Sequence, residues 1–206
     1  MLLAIDTSAG TSVAVVDRDG GVLAEASEAD TMRHAEVIGT LIDEVLRTSG
    51  VAVSSLSGVV AGMGPGPFTG LRVGIAAAKA FAFGAAKPLV PVVSHDAVAF
   101  ERYAAGQEGG LLVVTDARRR ELYWSAYVGV DETGLPIRED GPGLGEPDAL
   151  PHPSLTRFDA HQISAGALGM LAELLYANGR PFAPDEPLYL RSPDVTLSAG
   201  PKRVSA

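Results

Sequence analysis

Hydrophobic and polar positions follow two periods along the chain, and the change from one to the other marks its elements. Leu2 to Ile5 is a short apolar run ending at Asp6-Thr7-Ser8, and Thr11 to Val16 follows, rich in β-branched residues. Both read as strands. Asp19-Gly20-Gly21 predicts a hairpin turn and Val22 to Glu28 a third strand, giving an antiparallel meander. From Met32 to Thr48 the period lengthens. Val37, Ile38, Leu41, Ile42, Val45 and Leu46 fall on one side, with Glu36, Thr40, Asp43, Glu44 and Arg47 on the other, which predicts a helix. The apolar arc spans about 180°, wider than the ~100° that packing on a sheet needs. The helix therefore needs a second neighbour, either another helix of the chain or a partner protein.

A further strand, Leu56 to Ala61, runs into Gly62-Met63-Gly64-Pro65-Gly66-Pro67-Phe68-Thr69-Gly70, and a helix from Leu71 to Gly84 leaves it. Four glycines and two prolines in nine residues predict a tight, stiff turn, with Pro67 in the first turn of the helix. Two readings of this turn stay open. Its free N–H groups could hold a phosphate, or it is built for close helix packing, which is the preferred reading because no GxxxxGK[ST] or GxGxxG pattern fits. Gly70, Gly74, Ala78 and Ala82 recur every four residues, forming a ridge on which another helix could pack closely. A protein partner across these two helices is the sharper reading. Asp6, at the end of the first strand, is either a metal or phosphate-water ligand or a turn-forming acid followed by hydroxyls.

Pro88 to Val93 reads as a strand, and Ser94-His95-Asp96 as a helix start with Ser94 as cap. His95 is expected at the surface or in the cap. A boundary near 106–110 separates a first unit, 1–106, from a smaller one, 107–192, whose strands are Leu111 to Thr115 and Leu122 to Val130. The joining Asp116-Ala117-Arg118-Arg119-Arg120-Glu121 reads as a turn with solvated charges, and phosphate contact by the arginines is the less common alternative. Residues 131–160 read as loosely structured, Ala165 to Asn178 as a last amphipathic helix, Pro187 to Arg191 as a closing strand, and 193–206 as a disordered tail.

Composition narrows the function. A length of 206 residues with 47% hydrophobic and 20% charged residues describes a globular chain with a real core. The net charge of −9 argues against a broad nucleic-acid footprint. Without cysteine, disulfides, thiolate zinc sites and a cysteine nucleophile are excluded. The start reads as a strand instead of a signal peptide, and the apolar stretch at 68–84 carries two charges and is too short for a membrane span, so no membrane association and a cytoplasmic location are expected. Histidines 34, 95, 152 and 161 show no HExxH or HxxxH spacing, and no GxSxG occurs. No catalytic or metal-ligating residue is assigned.

Four stretches carry a resemblance. Ile5-Asp6-Thr7-Ser8, the His34-Ala35-Glu36 helix start, Gly64-Pro65-Gly66-Pro67-Phe68-Thr69-Gly70-Leu71-Arg72-Val73-Gly74, and Asp116-Ala117-Arg118-Arg119 with Tyr189-Leu190-Arg191 occur in this order. The chain resembles the TsaB (YeaZ) family, the non-catalytic subunit of the bacterial tRNA threonylcarbamoyladenosine synthesis machinery. The resemblance implies an α/β, actin-like (ribonuclease-H-like) fold of two lobes, each a mixed sheet flanked by helices, the second reduced. It implies a TsaD-like catalytic paralogue as partner, carrying the ATP and metal, with a TsaE-like ATPase, tRNA reached indirectly through the complex, and a homodimer when alone. A TsaC-like enzyme would supply the threonylcarbamoyl-adenylate donor. It further implies an interface formed by the first two helices of each partner, here His34, Val37, Ile38, Leu41, Ile42, Val45, Gly70, Leu71, Gly74, Ile75, Ala78 and Ala82. Asp6, Thr7, Ser8, Gly64 and Gly66 would be a vestigial phosphate site, with no cofactor expected in this chain. Pro67 stands where the family pattern has serine, and Arg120 where it has a small turn residue. The alternative of another class is an ATP-dependent small-molecule kinase of the actin-like superfamily, for which the second unit lacks recognisable nucleotide loops.

Overall fold

The computed structural model describes residues 1–191. The expected tail at 193–206 lies outside the described residues. β1 (Leu2–Asp6), β2 (Thr11–Asp17) and β3 (Gly21–Glu28) form the antiparallel meander, and β4 (Gly58–Gly62) and β5 (Leu89–Val92) extend it in parallel beyond β1, in the order β3-β2-β1-β4-β5. Side chains alternate across this sheet. Leu3, Ile5, Val13, Val15 and Val59 share a core with α1 (His34–Ser49) and α2 (Phe68–Gly84). Leu2, Ala4, Ala14, Val16 and Val60 share another with α3 (Ser94–Ala104) and α4 (Ala165–Ala177). Burial on both faces explains why these strands read as unbroken apolar runs.

The second sheet has the order β8-β7-β6-β9, from β6 (Leu111–Arg118), β7 (Glu121–Val130), β8 (Pro136–Gly145) and β9 (Thr156–Asp159). It repeats the first four strands of the first sheet, a meander with β9 parallel to β6. Among the described residues it has neither a fifth strand nor a helix between β8 and β9. The architecture is thus the actin-like one with a reduced second lobe. α4 follows the second sheet in the chain but packs across β1, β2 and β3 and beside α3. Gly169 permits this approach, since a Cβ there would come within 2.7 Å of a Val16 methyl. Glu25 of β3 accepts the Gly166 N–H at 3.2 Å and the Ser164 hydroxyl at 3.0 Å, placing an acid at the N-terminus of α4.

Several expectations are corrected. The stretch 131–160 is not loosely structured throughout: Pro136, Gly141, Pro142, Gly143 and Gly145 sit in β8, an edge strand that needs ladder bonds on one side only, and Thr156–Asp159 is β9. Pro187 to Arg191 is no strand. Tyr189 N–H bonds Pro187 O and Leu190 N–H bonds Leu188 O, so the backbone turns tightly, and Leu188 N–H reaches across to Met63 O at 2.8 Å. Pro67 precedes α2 as its cap residue instead of lying in its first turn, with Leu71 N–H bonded to Pro67 O. Ser94 is the first residue of α3 and Val93 its cap, because the Ser94 hydroxyl is used elsewhere.

His95 is neither at the surface nor a cap. It is fully buried, with Nδ1 2.8 Å from Ser125 Oγ and Nε2 2.9 Å from Thr115 Oγ1. Next to it, Tyr127 donates to Asp96 at 2.7 Å and Arg138 lies 3.5 Å away. These contacts tie the first turn of α3 to the second sheet. Burial, with Arg138 adding to it, pushes the His95 imidazole down to about 3, so the folded protein holds it neutral. The unfolded chain therefore takes up a proton between pH 6.5 and about 3 that the folded chain refuses. Stability is expected to fall as pH falls through that window, by up to about 1.4 kcal/mol per pH unit from this residue. The raised carboxyls of Asp6 and Asp96 titrate with the opposite sign, so the informative quantity is a difference. Denaturant midpoints for wild type and His95→Gln between pH 7 and 5 should show the wild type steeper by roughly one proton. Equal slopes would mean that the buried ring charges freely.

Candidate functional site

β1 delivers Asp6 to the centre of the molecule, where it is 1% exposed. Its Oδ1 accepts the Ser8 N–H at 2.7 Å, and its Oδ2 accepts the Ser94 hydroxyl at 2.5 Å and lies 3.3 Å from Ser8 Oγ. Ser94 Oγ in turn accepts the Gly64 N–H at 3.0 Å and lies 2.8 Å from Ser8 Oγ. Burial raises the Asp6 carboxyl above the usual range, and the bonds from Ser94 and Ser8 oppose that rise. Position 62 is glycine because a Cβ there would fall on the Asp6 carboxylate.

The glycine-rich turn closes over the same point. A Cβ on Gly66 would lie 2.8 Å from Ser8 Cα, and Tyr123 of the second sheet donates to Gly66 O at 3.2 Å. Asp6, Thr7, Ser8, Gly64 and Gly66, the residues of the vestigial phosphate site, are thus brought together. They face one another: all five are buried, and the Gly64 N–H goes to Ser94. Of the two readings of the turn, close packing is the one its contacts display. Among the described residues no three His, Asp or Glu side chains converge as a metal site.

The two helices flank this closed centre, and the small-residue ridge of α2 points inward. A Cβ on Gly70 would lie 2.7 Å from Thr7 O, and one on Gly74 would strike Thr7 Oγ1, which itself donates to Gly70 O at 2.7 Å. Leu71, Ile75, Ala78 and Ala82 enter the core with Ile38, Leu41 and Val45 of α1, so these expected interface positions, the ridge among them, are corrected from partner-facing to internal. The reason is steric: α2 crosses the end of β1 too closely for larger residues. His34 is buried as well, while Val37 and Ile42 are half-buried at the edge of the same core. That packing also covers the wide apolar arc of α1.

α2 turns other residues outward. Arg72, Ala76, Ala80 and Phe83 are exposed, Val73 and Ala77 half-buried, and Phe83 is 90% exposed. Periodicity did contain this signal, since α2 is apolar nearly all round, but the ridge of small residues masked which side was free. The arginine turn also differs from expectation. Arg118, Arg119 and Arg120 all have left-handed backbone, φ +64°, +52° and +65°, and Arg118 donates to Thr31 Oγ1 at 2.7 Å and contacts Met32 Sδ. It bridges to the loop before α1 instead of only meeting solvent.

A family profile described as tRNA N6-adenosine threonylcarbamoyltransferase (TsaD) matches residues 6–140. A Mycobacterium tuberculosis protein described as uncharacterized is 37% identical over 203 residues, covering 94% of this chain and 92% of its own length. The tRNA threonylcarbamoyladenosine biosynthesis protein TsaB of Haemophilus influenzae is 37% identical over 128 residues, 62% of this chain and 53% of that protein. The structure of YeaZ from Pseudomonas aeruginosa superposes with a TM-score of 0.76 at 25% identity, covering 92% of this chain and 99% of the other. With the glycine-rich turn, Asp6 at the end of the meander's first strand and the reduced second lobe all in place, the chain belongs to the TsaB (YeaZ) family.

Proposed function

We propose that the chain is a subunit of the tRNA threonylcarbamoyladenosine biosynthesis machinery, acting as the non-catalytic partner of a TsaD-like transferase in the cytoplasm. The TsaD-like paralogue supplies the chemistry, ATP and metal, a TsaE-like ATPase supports turnover, and tRNA is met through the assembled complex. Alone, the chain forms a homodimer. The observation that carries this reading is the outer strip of α2, where Val73, Ala76, Ala77 and Ala80 lead to an almost fully exposed Phe83. Small side chains let a second helix approach, and an exposed aromatic at one end is a natural anchor. The closed Asp6 centre supports the non-catalytic part, since its carboxylate is engaged by the chain's own hydroxyls. No observation favours the kinase alternative.

The interface is tested on exposed positions, because Leu41 and Ala78 lie in the core and their substitution would unfold the protein. Phe83→Glu and Ala80→Trp should each weaken co-elution with the co-expressed TsaD-like paralogue by at least about tenfold in dissociation constant, with thermal melts little changed. Val130→Glu, at a comparably apolar exposed site on the second sheet, should leave association intact. The reverse pattern would move the interface to the second lobe.

A second expectation concerns Asp6. Asp6→Ala leaves buried donors without an acceptor and should cost about 1–3 kcal/mol of stability, with Asp6→Asn costing less. ATP should bind the isolated chain weakly or not at all by calorimetry. Low-micromolar ATP binding that disappears in a folded Asp6 variant would make this carboxylate a ligand-binding group after all.

A further inference from the structure

The stretch 146–155 joins β8 to β9, the place in the second lobe that α1 holds in the first, between the third and fourth strands of its sheet. The two sheets use their faces alike. In β1, Leu2 and Ala4 enter the core shared with α3 and α4, while Leu3 and Ile5 turn to α1 and α2. In β6, Leu111 and Val113 enter that same shared core, while Leu112 and Val114 turn to the other side. Among the described residues no helix lies between β8 and β9 to cover this second face. Leu112, Val114 and Ala126 are buried there all the same, beneath Leu122 and Trp124 of β7 and Leu150 and Leu155 of the stretch. The two leucines are seated where the sheet lacks side chains. A Cβ on Gly145 would lie 3.3 Å from Leu150 Cδ2, and one on Gly110 would strike Leu155.

Side chains alone hold this cover down. Among the described residues its backbone hydrogen bonds stay within it, Ala149 N–H to Glu146 O and Leu155 N–H to His152 O, both at 3.0 Å. Its polar tie to the sheet is His152 Nε2, 2.9 Å from Asp140 Oδ2 of β8, with the imidazole centred 6.0 Å from the Trp124 ring. That bond draws the Asp140 carboxyl below its usual range. His152 has left-handed backbone, φ +58°, and stands before Pro153, which favours extended backbone in its predecessor. Such a conformation persists only where the surroundings impose it. Here they are one partly exposed hydrogen bond and one ring contact, a hold that gives way easily.

We propose that 146–155 is a lid on the outer face of the second sheet, latched by His152 on Asp140 and able to lift without unfolding either lobe. Lifting takes Leu150 and Leu155 out of their seats, frees His152 from left-handed backbone, and bares Leu112, Val114, Ala126 and more of the Trp124 indole. The strands keep their pairing, since no ladder pair of β6, β7, β8 or β9 includes a lid residue. The cluster beneath is small and separate from the two main cores, so opening loses few apolar contacts and costs far less than global unfolding. α1 has no such freedom, because its Ile38, Leu41 and Val45 belong to a main core.

Trp124 is the chain's single tryptophan and the chain has no cysteine, so an indole signal and an introduced thiol both report on this one place. In the full chain, the indole N–H and the amides of 146–155 should show microsecond-to-millisecond exchange by NMR relaxation dispersion, and those of β1 and β4 should not. Asp140→Ala removes the latch and Leu150→Ser weakens the seat at Gly145. Each should raise acrylamide quenching of Trp124 at least about twofold and leave the global melt in place. Leu150→Cys puts the only thiol under the lid, and adding Asp140→Ala should speed its reaction with a disulfide reagent by a similar factor. Wild-type Trp124 quenched as readily as in the unfolded chain would mean that no closed lid exists. Flat dispersion with unchanged quenching in the folded variants would mean a fixed cover. Collapse of the global melt in both variants would make the stretch part of the cooperative core. Any of these three results overturns the proposal.

Discussion

The structure depends on pairing every polar group at the first turn of α3. Ser94 reaches the first sheet through Asp6 and Gly64, while His95 and Asp96 reach the second through Thr115, Ser125 and Tyr127. Apart from the half-buried Asp96, all of this lies in the protein interior, where a missing partner costs as much as a lost hydrophobic side chain. Three consecutive residues therefore set the relation between the two lobes. Position 62 follows from it, because only glycine leaves room for the carboxylate that Ser94 needs.

The same geometry accounts for the glycine spacing in α2. Thr7 follows Asp6, so fixing the carboxylate also fixes Thr7, and Thr7 fills the space where side chains at 70 and 74 would stand. The stripe of small residues is thus a consequence of how closely α2 must cross the end of β1. A period of four small residues marks a close approach; whether the approaching surface belongs to the chain or to a partner is a long-range fact. It depends on Thr7, sixty-odd positions away and nowhere visible in the helix itself.

Much of the fold was legible for this reason of range. The meander, the helix read over Met32 to Thr48, the glycine-rich turn and the last helix from Ala165 are local patterns, and local patterns survive into the structure. What misled was the context of individual residues. His95 follows a serine and precedes an acid, a sequence that usually caps a helix in solvent, yet its neighbours in space are hydroxyls on β6 and β7. β8 was hidden because proline and glycine normally end strands, a rule relaxed at an edge. Asp6 was found from sequence but its environment was not, since the decisive hydroxyl of Ser94 comes from 88 residues away.

That environment separates two ways of using one frame. At the end of β1 an actin-like lobe offers an acid and a glycine-rich turn, a combination that can serve an incoming phosphate if the space between them stays open. Here hydroxyls fill it: Ser8 and Ser94 satisfy the carboxylate, and Ser94 takes the N–H of Gly64 that an anion would otherwise accept. The arginine turn and the two helix starts lie farther out, where Arg118 donates to Thr31 and His34 meets Thr11. The centre then works as a rigid peg that fixes α2 against the sheet, with the small-residue side of the helix turned in and the strip from Ala76 to Phe83 left outside.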